Sequence, residues 1–251
     1  MKEVILITGA SGGLGSALAK KLAEVHGDKE FWLFGRDGDA LRKASRFPGK
    51  KRLFLLDFSE PSWEEKMEAL LEKEKPVIFR LINNAGFGFR GDFAGETEKE
   101  IRDLAETDFL TPILLTSLCL PYMKKGCAVL NVSSAAGFLP MPEMTLYGAA
   151  KAGLTSFSRA LREELRDRGI SVSVLCPYWI GDTKFISRMG AAGKIRLFLA
   201  LTAEETAEEA VRGLERGEAV IVPGPAGKIT AWGARLLPLS IPLFFRRLLR
   251  I

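Results

Sequence analysis

Residues 131–154, NVSSAAGFLPMPEMTLYGAAKAGL, hold a tyrosine and a lysine four positions apart, Tyr147 and Lys151, with Ser134 thirteen residues before the tyrosine. Residues i and i+4 share one face of a helix, so a helical segment here would bring the phenol and the ammonium together. A free phenol titrates near pH 10 and is a poor base at neutrality. A nearby cation favours the phenolate and lowers that value toward the range useful in general acid/base chemistry. Tyr and Lys also fall at this spacing on many helices that do nothing, so the surrounding elements decide.

Strand-like and helix-like segments alternate from the amino terminus. VILIT (4–8), FWLF (31–34), RLFLL (52–56), VIFRLIN (77–83), AVLNVS (128–133), SVSVLC (171–176) and AVIV (219–222) are short apolar runs that read as buried strands. Helical patterns lie between them: Leu14, Leu18, Leu22 and Val25, then the charged DGDALRKASRF, then 61–74 with Ser59 and Pro61 as start signals. A further helix over 149–168 puts Leu154, Phe157, Leu161 and Leu165 on one face, a pattern of core or of subunit interface. Continuous apolar strands separated by helices predict an α/β fold. It is a single doubly wound domain over 1–251, with a seven-stranded, mainly parallel sheet and helices on both faces.

Composition narrows the chemistry. The 251 residues are 47% hydrophobic and 27% charged, as in soluble globular proteins, and suffice for a substantial core. The apolar run of MKEVILITGASGG is short and ends in glycines, which reads as a strand rather than a signal peptide. No stretch approaches the roughly 20 apolar residues of a membrane span. Cys119, Cys127 and Cys176 lack C-x-x-C spacing and suit reduced core thiols, so a cytoplasmic protein is expected. The single histidine, His26, ends a predicted helix and is expected to be solvated; histidine triads and metal sites are accordingly not expected. The net charge of +5 resides in 226–251, which contains Lys228, Arg235, Arg246, Arg247, Arg250 and no acid. The basic character therefore belongs to the tail and does not describe a nucleic-acid surface.

The first strand runs into Thr8-Gly9-Ala10-Ser11-Gly12-Gly13-Leu14-Gly15 and then a helix. In that setting Gly9 allows a tight turn, Gly13 lets backbone approach a pyrophosphate, and Gly15 permits close helix–strand packing. The helix amino terminus would add N–H groups and positive dipole for phosphates. An acid at the end of the second strand would bind the ribose hydroxyl of NAD, and an arginine the 2′-phosphate of NADP. The chain has Gly35 and Arg36 there, which predicts NADP(H) in preference to NAD(H), with Asp37 placed to neutralise Arg36 in part.

With TGASGGLG, NNAG at 83–86, Ser134 and YGAAK at 147–151, the chain resembles the short-chain dehydrogenase/reductase family over nearly its whole length. The resemblance implies a Rossmann-type NAD(P)-dependent oxidoreductase in which Tyr147 exchanges a proton with the substrate oxygen and Ser134 hydrogen-bonds that oxygen. Lys151 would hold the nicotinamide ribose and lower the Tyr147 pKa. Asn83 to Gly86 would support the central sheet and line the adenosine side, through Asn84, Ala85 and Gly86. Asp57 matches the acid that meets the adenine, with Phe58 beside it, although LDFSE also reads as a cap. Pro177, Ile180 and Thr183 would complete the cofactor contacts.

Three departures stand out. The family's usual asparagine before the fifth strand, part of a proton relay through the lysine, is absent from 101–125; Asp108 in ETDFLTP occupies the matching place. An aspartate could accept from relay water, and its charge would attract Lys151 and couple their titrations. The usual Pro-Gly is Pro177-Tyr178, and the expected threonine is displaced to Thr183, beside Asp182.

Substrate contacts are expected from GFGFRGDF (86–93), FLPMPEM (138–144) and a lid over 184–201, whose composition suggests an apolar small molecule. Residues 226–251 form a basic, apolar tail interrupted by Pro238 and Pro242. It suits either a peripheral membrane contact or a cover for the pocket or a neighbouring subunit. The family resemblance implies a homodimer or homotetramer. Three functions compete: an NADP(H)-dependent carbonyl reductase or alcohol dehydrogenase, a nucleotide-binding regulator or scaffold without turnover, and an epimerase-type enzyme.

Overall fold

The computed structural model describes residues 2–183, 200–236 and 238. The expected lid over 184–201 lies outside the described residues except for 200 and 201, as do residues 237 and 239–251 of the tail. Apolar runs become the strands β1 (Glu3–Ile7), β2 (Glu30–Gly35), β3 (Lys50–Leu55), β4 (Val77–Asn83), β5 (Ala128–Val132), β6 (Ser171–Leu175) and the two-residue β7 (Val220–Ile221). They form one sheet in the order β3-β2-β1-β4-β5-β6-β7, and every pairing is parallel.

Eight α-helices connect them: α1 (Gly13–Val25), α2 (Gly38–Ala44), α3 (Trp63–Glu74), α4 (Glu98–Ala105), α5 (Thr111–Cys119), α6 (Thr145–Glu164), α7 (Ala203–Glu215) and α8 (Gly224–Leu236), counted among the described residues. Side chains alternate across a strand, so β1 sends Val4 and Leu6 to one face and Ile5 and Ile7 to the other. The first face packs against α3, α5 and α6, the second against α1, α2 and α7. Burial on both faces explains why the strands read as continuous apolar runs. Leu161 and Leu165 enter the first core and Phe157 packs against it, so that face of α6 serves the interior.

Two expectations change. RLFLL reads as a buried strand, but β3 is the sheet edge and Leu55 is 67% exposed. An edge strand lacks a neighbour, and its apolar residues can face outward. His26 is not a solvated terminus: its Nε2 lies 3.0 Å from Glu215 Oε1 and its ring meets Phe79 edge-on. Glu215 also takes two hydrogen bonds from Arg80 at 3.1 and 2.9 Å, tying α7 to β4. Burial opposes its charge, but these partners prevail and hold the carboxyl at about 2.

Candidate active site

The sheet order reverses between β1 and β4, and in open parallel sheets a crevice forms at the carboxyl ends of strands at such a point. Here β1 leads into Gly9, whose φ of +62° is the left-handed region that glycine enters freely. A Cβ on Gly15 would stand 2.3 Å from the Gly9 carbonyl oxygen, so α1 rests on the turn with no room for a side chain. The turn is stitched to the end of β4. Thr8 Oγ1 accepts from the N–H groups of Asn84 (3.0 Å) and Ala85 (2.9 Å), and Asn84 Nδ2 donates to the carbonyls of Thr8 and Gly9. Gly12 caps α1 without a side-chain hydrogen bond, leaving the helix N–H groups facing the cleft. A glycine turn, an uncapped helix terminus and a close backbone approach make a cradle that fits a dinucleotide pyrophosphate.

At one end of this cleft Gly35 stands where an acid would bind a ribose hydroxyl, and a Cβ there would lie 2.9 Å from Ser11 Oγ. Arg36 is exposed, with Nη1 3.6 Å from Asp57 Oδ2. Burial raises the Asp57 carboxyl, but hydrogen bonds from the Ser59 N–H and hydroxyl, with Arg36, outweigh it and hold it below the usual range. Asp57 thus organises a turn and does not cap a helix. Asp37 accepts from the N–H groups of Asp39 and Ala40 as the N-cap of α2.

At the other end lie the tyrosine and lysine. α6 begins at Thr145, four residues earlier than the sequence predicts, which puts Tyr147 in its first turn and Lys151 one turn on. Ser133 Oγ donates to the Lys151 carbonyl at 2.8 Å, pinning α6 to the end of β5. Ser134 Oγ accepts from the Ala136 N–H at 3.1 Å and hydrogen-bonds the Tyr147 phenol. A buried polar chain fixes the elements behind them: Asn83 Nδ2 donates to Asn131 Oδ1 at 2.8 Å, and Asn131 Nδ2 donates to Ser158 Oγ at 2.9 Å.

Asp108 lies in a π turn, Glu106–Leu110, between α4 and α5. Pro112 has no N–H to give the Asp108 carbonyl, so the α-helical ladder is interrupted at that residue. Asp108 Oδ1 is 2.7 Å from Lys151 Nζ, and Oδ2 accepts from the Phe87 N–H at 2.9 Å. Lys151 Nζ also donates to the Val132 carbonyl at 3.1 Å. Burial raises the Asp108 carboxyl, with Lys151 and Phe87 pulling the other way. For Lys151, burial works against the ammonium, but Asp108 and Tyr147 prevail and hold its pKa above the ordinary lysine value. The Tyr147 phenol is pushed up, first by burial; Lys151 lowers it, as expected, but is outweighed, and Asp108 adds to the rise.

The catalytic and cofactor-binding residues singled out in the sequence line one cleft of about 420 Å3: the turn from Gly9 through Ser11, Gly12, Gly13, Leu14 and Gly15, then Arg36, Asp57, Phe58, Asn84, Ala85 and Gly86, and Asp108, Ser134, Tyr147, Lys151, Pro177, Ile180 and Thr183. Of the expected substrate loops 86–93 and 138–144, Gly86, Phe87, Leu139, Met141 and Met144 reach it. Thr183 sits over the glycine turn, where a Cβ on Gly13 would meet its Cγ2 at 2.9 Å, while Asp182 accepts from the Ala203 N–H and serves α7. Tyr178 also lines the cleft, against α8 near Gly227. Trp179 lines it without having been anticipated, and Thr230 of α8 lines it as a tail covering the pocket would. Near Tyr147 the wall is apolar, with Phe87, Leu139, Met141 and Met144.

The sequence profile for short chain dehydrogenases matches residues 3–192. The chain is 31% identical to the uncharacterized oxidoreductase DltE of Bacillus subtilis over 220 residues, 86% of each chain. It is 31% identical over 190 residues to the human very-long-chain 3-oxoacyl-CoA reductase, covering 71% of this chain but only 59% of that longer protein. Among solved structures, a short-chain dehydrogenase from Sphingobium yanoikuyae in complex with NADPH superposes with a TM-score of 0.79 at 28% identity, over 94% of this chain and 93% of that one.

Proposed function

Since the chain belongs to the short-chain dehydrogenase family and is an oxidoreductase of that family, we propose that it uses NADP(H) to reduce a ketone carried on an apolar molecule, with Tyr147 as proton donor. The observation that carries this reading is the convergence of Ser134, Tyr147 and Lys151 on the cleft whose far end holds the glycine turn and Arg36. A nicotinamide dinucleotide, when bound, supplies the hydride that turns the carbonyl carbon into a carbinol. The residues of this chain do the rest. Ser134 and Tyr147 donate hydrogen bonds to the carbonyl oxygen, where negative charge develops, and Tyr147 gives up its proton to that oxygen. Lys151 would hold the nicotinamide ribose, and the first turn of α1 the pyrophosphate.

Gly35 in place of an acid and an exposed Arg36 favour NADP(H), and the NADPH complex of the Sphingobium relative supports it. The apolar wall around Tyr147 favours an apolar ketone, in keeping with the name of the human relative. The reading includes, on family grounds, a homodimer or homotetramer. It also includes contact of α8 with a membrane surface, because Ile229, Trp232 and Leu236 stand exposed on that helix. The test is a ketone panel with NADPH and NADH. Tyr147→Phe should lose turnover about 100-fold or more while still binding NADPH, the scale of a lost general acid. Undiminished turnover would remove Tyr147 from the mechanism, whereas NADPH binding without turnover of any ketone by the unaltered protein would leave a nucleotide-binding regulator as the better account of the fold.

A further inference from the structure

An asparagine in the place of Asp108 would be neutral; the carboxyl group instead meets Lys151 directly. The 2.7 Å from Oδ1 to Nζ leaves no space for a water between them. The contact is built from several elements. The π turn of Glu106–Leu110 aims the side chain inward, and Gly86 makes room, since a Cβ there would lie 2.7 Å from Oδ1. Gly153 on α6 admits the Phe109 ring, which a Cβ would meet at 2.8 Å, so the π turn and α6 approach closely. Both partners are buried, Asp108 1% and Lys151 4% exposed. Lys151 Nζ donates a hydrogen bond to the Val132 carbonyl and is ion-paired with Asp108 Oδ1, so a backbone acceptor and a carboxylate together hold the ammonium in place.

The charge seen by Tyr147 changes accordingly. Without Asp108 the phenol would face a bare ammonium, and with it a pair whose net charge is zero wherever the shared proton sits. A neutral neighbour favours phenolate far less than a cation does. The other groups around the phenol do not replace the missing positive charge. Ser134, after β5, offers a hydroxyl; Cys176, after β6, is a thiol pushed up to about 12 by burial and stays neutral. Leu104 of α4, Met144 and Phe87 close the remaining sides with apolar surface.

We propose that Asp108 is a charge-setting and positioning residue that neutralises Lys151, keeps Tyr147 protonated through the neutral range, and so fits the site to donate a proton in carbonyl reduction. Alcohol oxidation, which needs the phenolate, then switches on only at alkaline pH. The equilibrium of the reaction is untouched; the pH at which each direction runs is what Asp108 sets. This inference rests on the assignment of Tyr147 as the proton donor.

The test titrates tyrosinate absorbance in the cofactor-free protein, taking the Tyr147 signal as the difference between each protein and its Tyr147→Phe counterpart. Three tyrosines make that subtraction tractable. Asp108→Asn should bring the Tyr147 midpoint down by about 1–2 pH units, the size expected on removing a neighbouring charge in a buried site. The pH profile of ketone reduction should lose its alkaline plateau by the same interval. Asp108→Ser, which removes the charge but asks for fewer partners, should shift the midpoint the same way and guards against a folding failure of Asp108→Asn. An unmoved or raised midpoint in the folded variants overturns the proposal. Because this readout needs no turnover, it stands apart from the test of the redox reading: a Tyr147→Phe enzyme with full activity would end that reading whatever the titration gave.

Discussion

Arg36 and Tyr147 both line one cleft, and in the proposed reaction they would divide its work between cofactor recognition and chemistry. The 3.6 Å contact from Arg36 to Asp57 is a pair of an exposed arginine with a partly exposed acid, a class worth about 0–1 kcal/mol, so the guanidinium can leave it for a stronger partner. A 2′-phosphate is such a partner, with charge-assisted hydrogen bonds of roughly 1.5–3 kcal/mol. Arg36→Ala should therefore weaken NADPH about 10- to 100-fold and change NADH by less than about threefold, measured by quenching of intrinsic fluorescence. Equal losses for both cofactors would remove Arg36 from the choice. At this scale the placement of Gly9, Arg36 and Asn84 on one cleft was legible, because each stands at a fixed offset from a strand end. Trp179 was not legible: it reaches the cleft because the segment after β6 folds over it, and no local pattern encodes that approach, whereas Thr230 lies in the tail, one reading of which is a cover for the pocket.

Elements hold these residues where they can act, and the closest tolerance is between the first glycine turn and α1. A methyl group on Gly15 would meet the Gly9 carbonyl oxygen at 2.3 Å and Asn84 Nδ2 at 2.7 Å, and the carbonyl is backbone that cannot swing aside. Gly15→Ala should destabilise the fold by about 2 kcal/mol, the middle of the range for overpacking, and lower the melting temperature by roughly 4–8 °C. It should weaken NADPH as well, since the turn that would carry the pyrophosphate must move. Gly95→Ala, where a Cβ meets nothing within 4 Å, is the control and should leave both unchanged. The helical period predicts α1 and α6 but is blind to the π turn that aims Asp108, because one inserted residue leaves the apolar pattern nearly intact. The signal was Pro112, four residues after Asp108, where a missing N–H loosens the ladder. The edge position of β3 is likewise a property of sheet order that an apolar run does not carry.

The whole molecule is electrically lopsided. Residues 226–251 carry five cations and no acid, while the remaining residues balance to zero. α8 begins this region, and two of its sides do different things. Its Thr230 lines the cleft and its Gly227 lies near Tyr178, whereas Ile229, Trp232 and Leu236 are 73%, 68% and 67% exposed. At 100° per residue these three fall on one stripe, with Lys228 and Arg235 along its flank. A bare apolar stripe holding a tryptophan and edged by cations is the pattern of a helix lying in the interface of an anionic bilayer. No helix among the described residues is long and apolar enough to cross a membrane, so this contact would be peripheral. The full chain should float with phosphatidylglycerol vesicles at low salt, and bind phosphatidylcholine vesicles more weakly. Raising ionic strength should weaken binding as screening shortens the electrostatic reach to about 10 Å at 0.1 M. Replacing Ile229, Trp232 and Leu236 together by glutamine should reduce vesicle binding about tenfold or more, because each buried large apolar side chain is worth on the order of 1.5–3 kcal/mol. If the stripe instead packs against a second copy of the chain, the same variant will lower the sedimentation coefficient and leave vesicle binding unchanged. That result would remove the membrane reading. Association with vesicles would place the wall of an apolar cleft at the bilayer surface, where an apolar ketone is most concentrated.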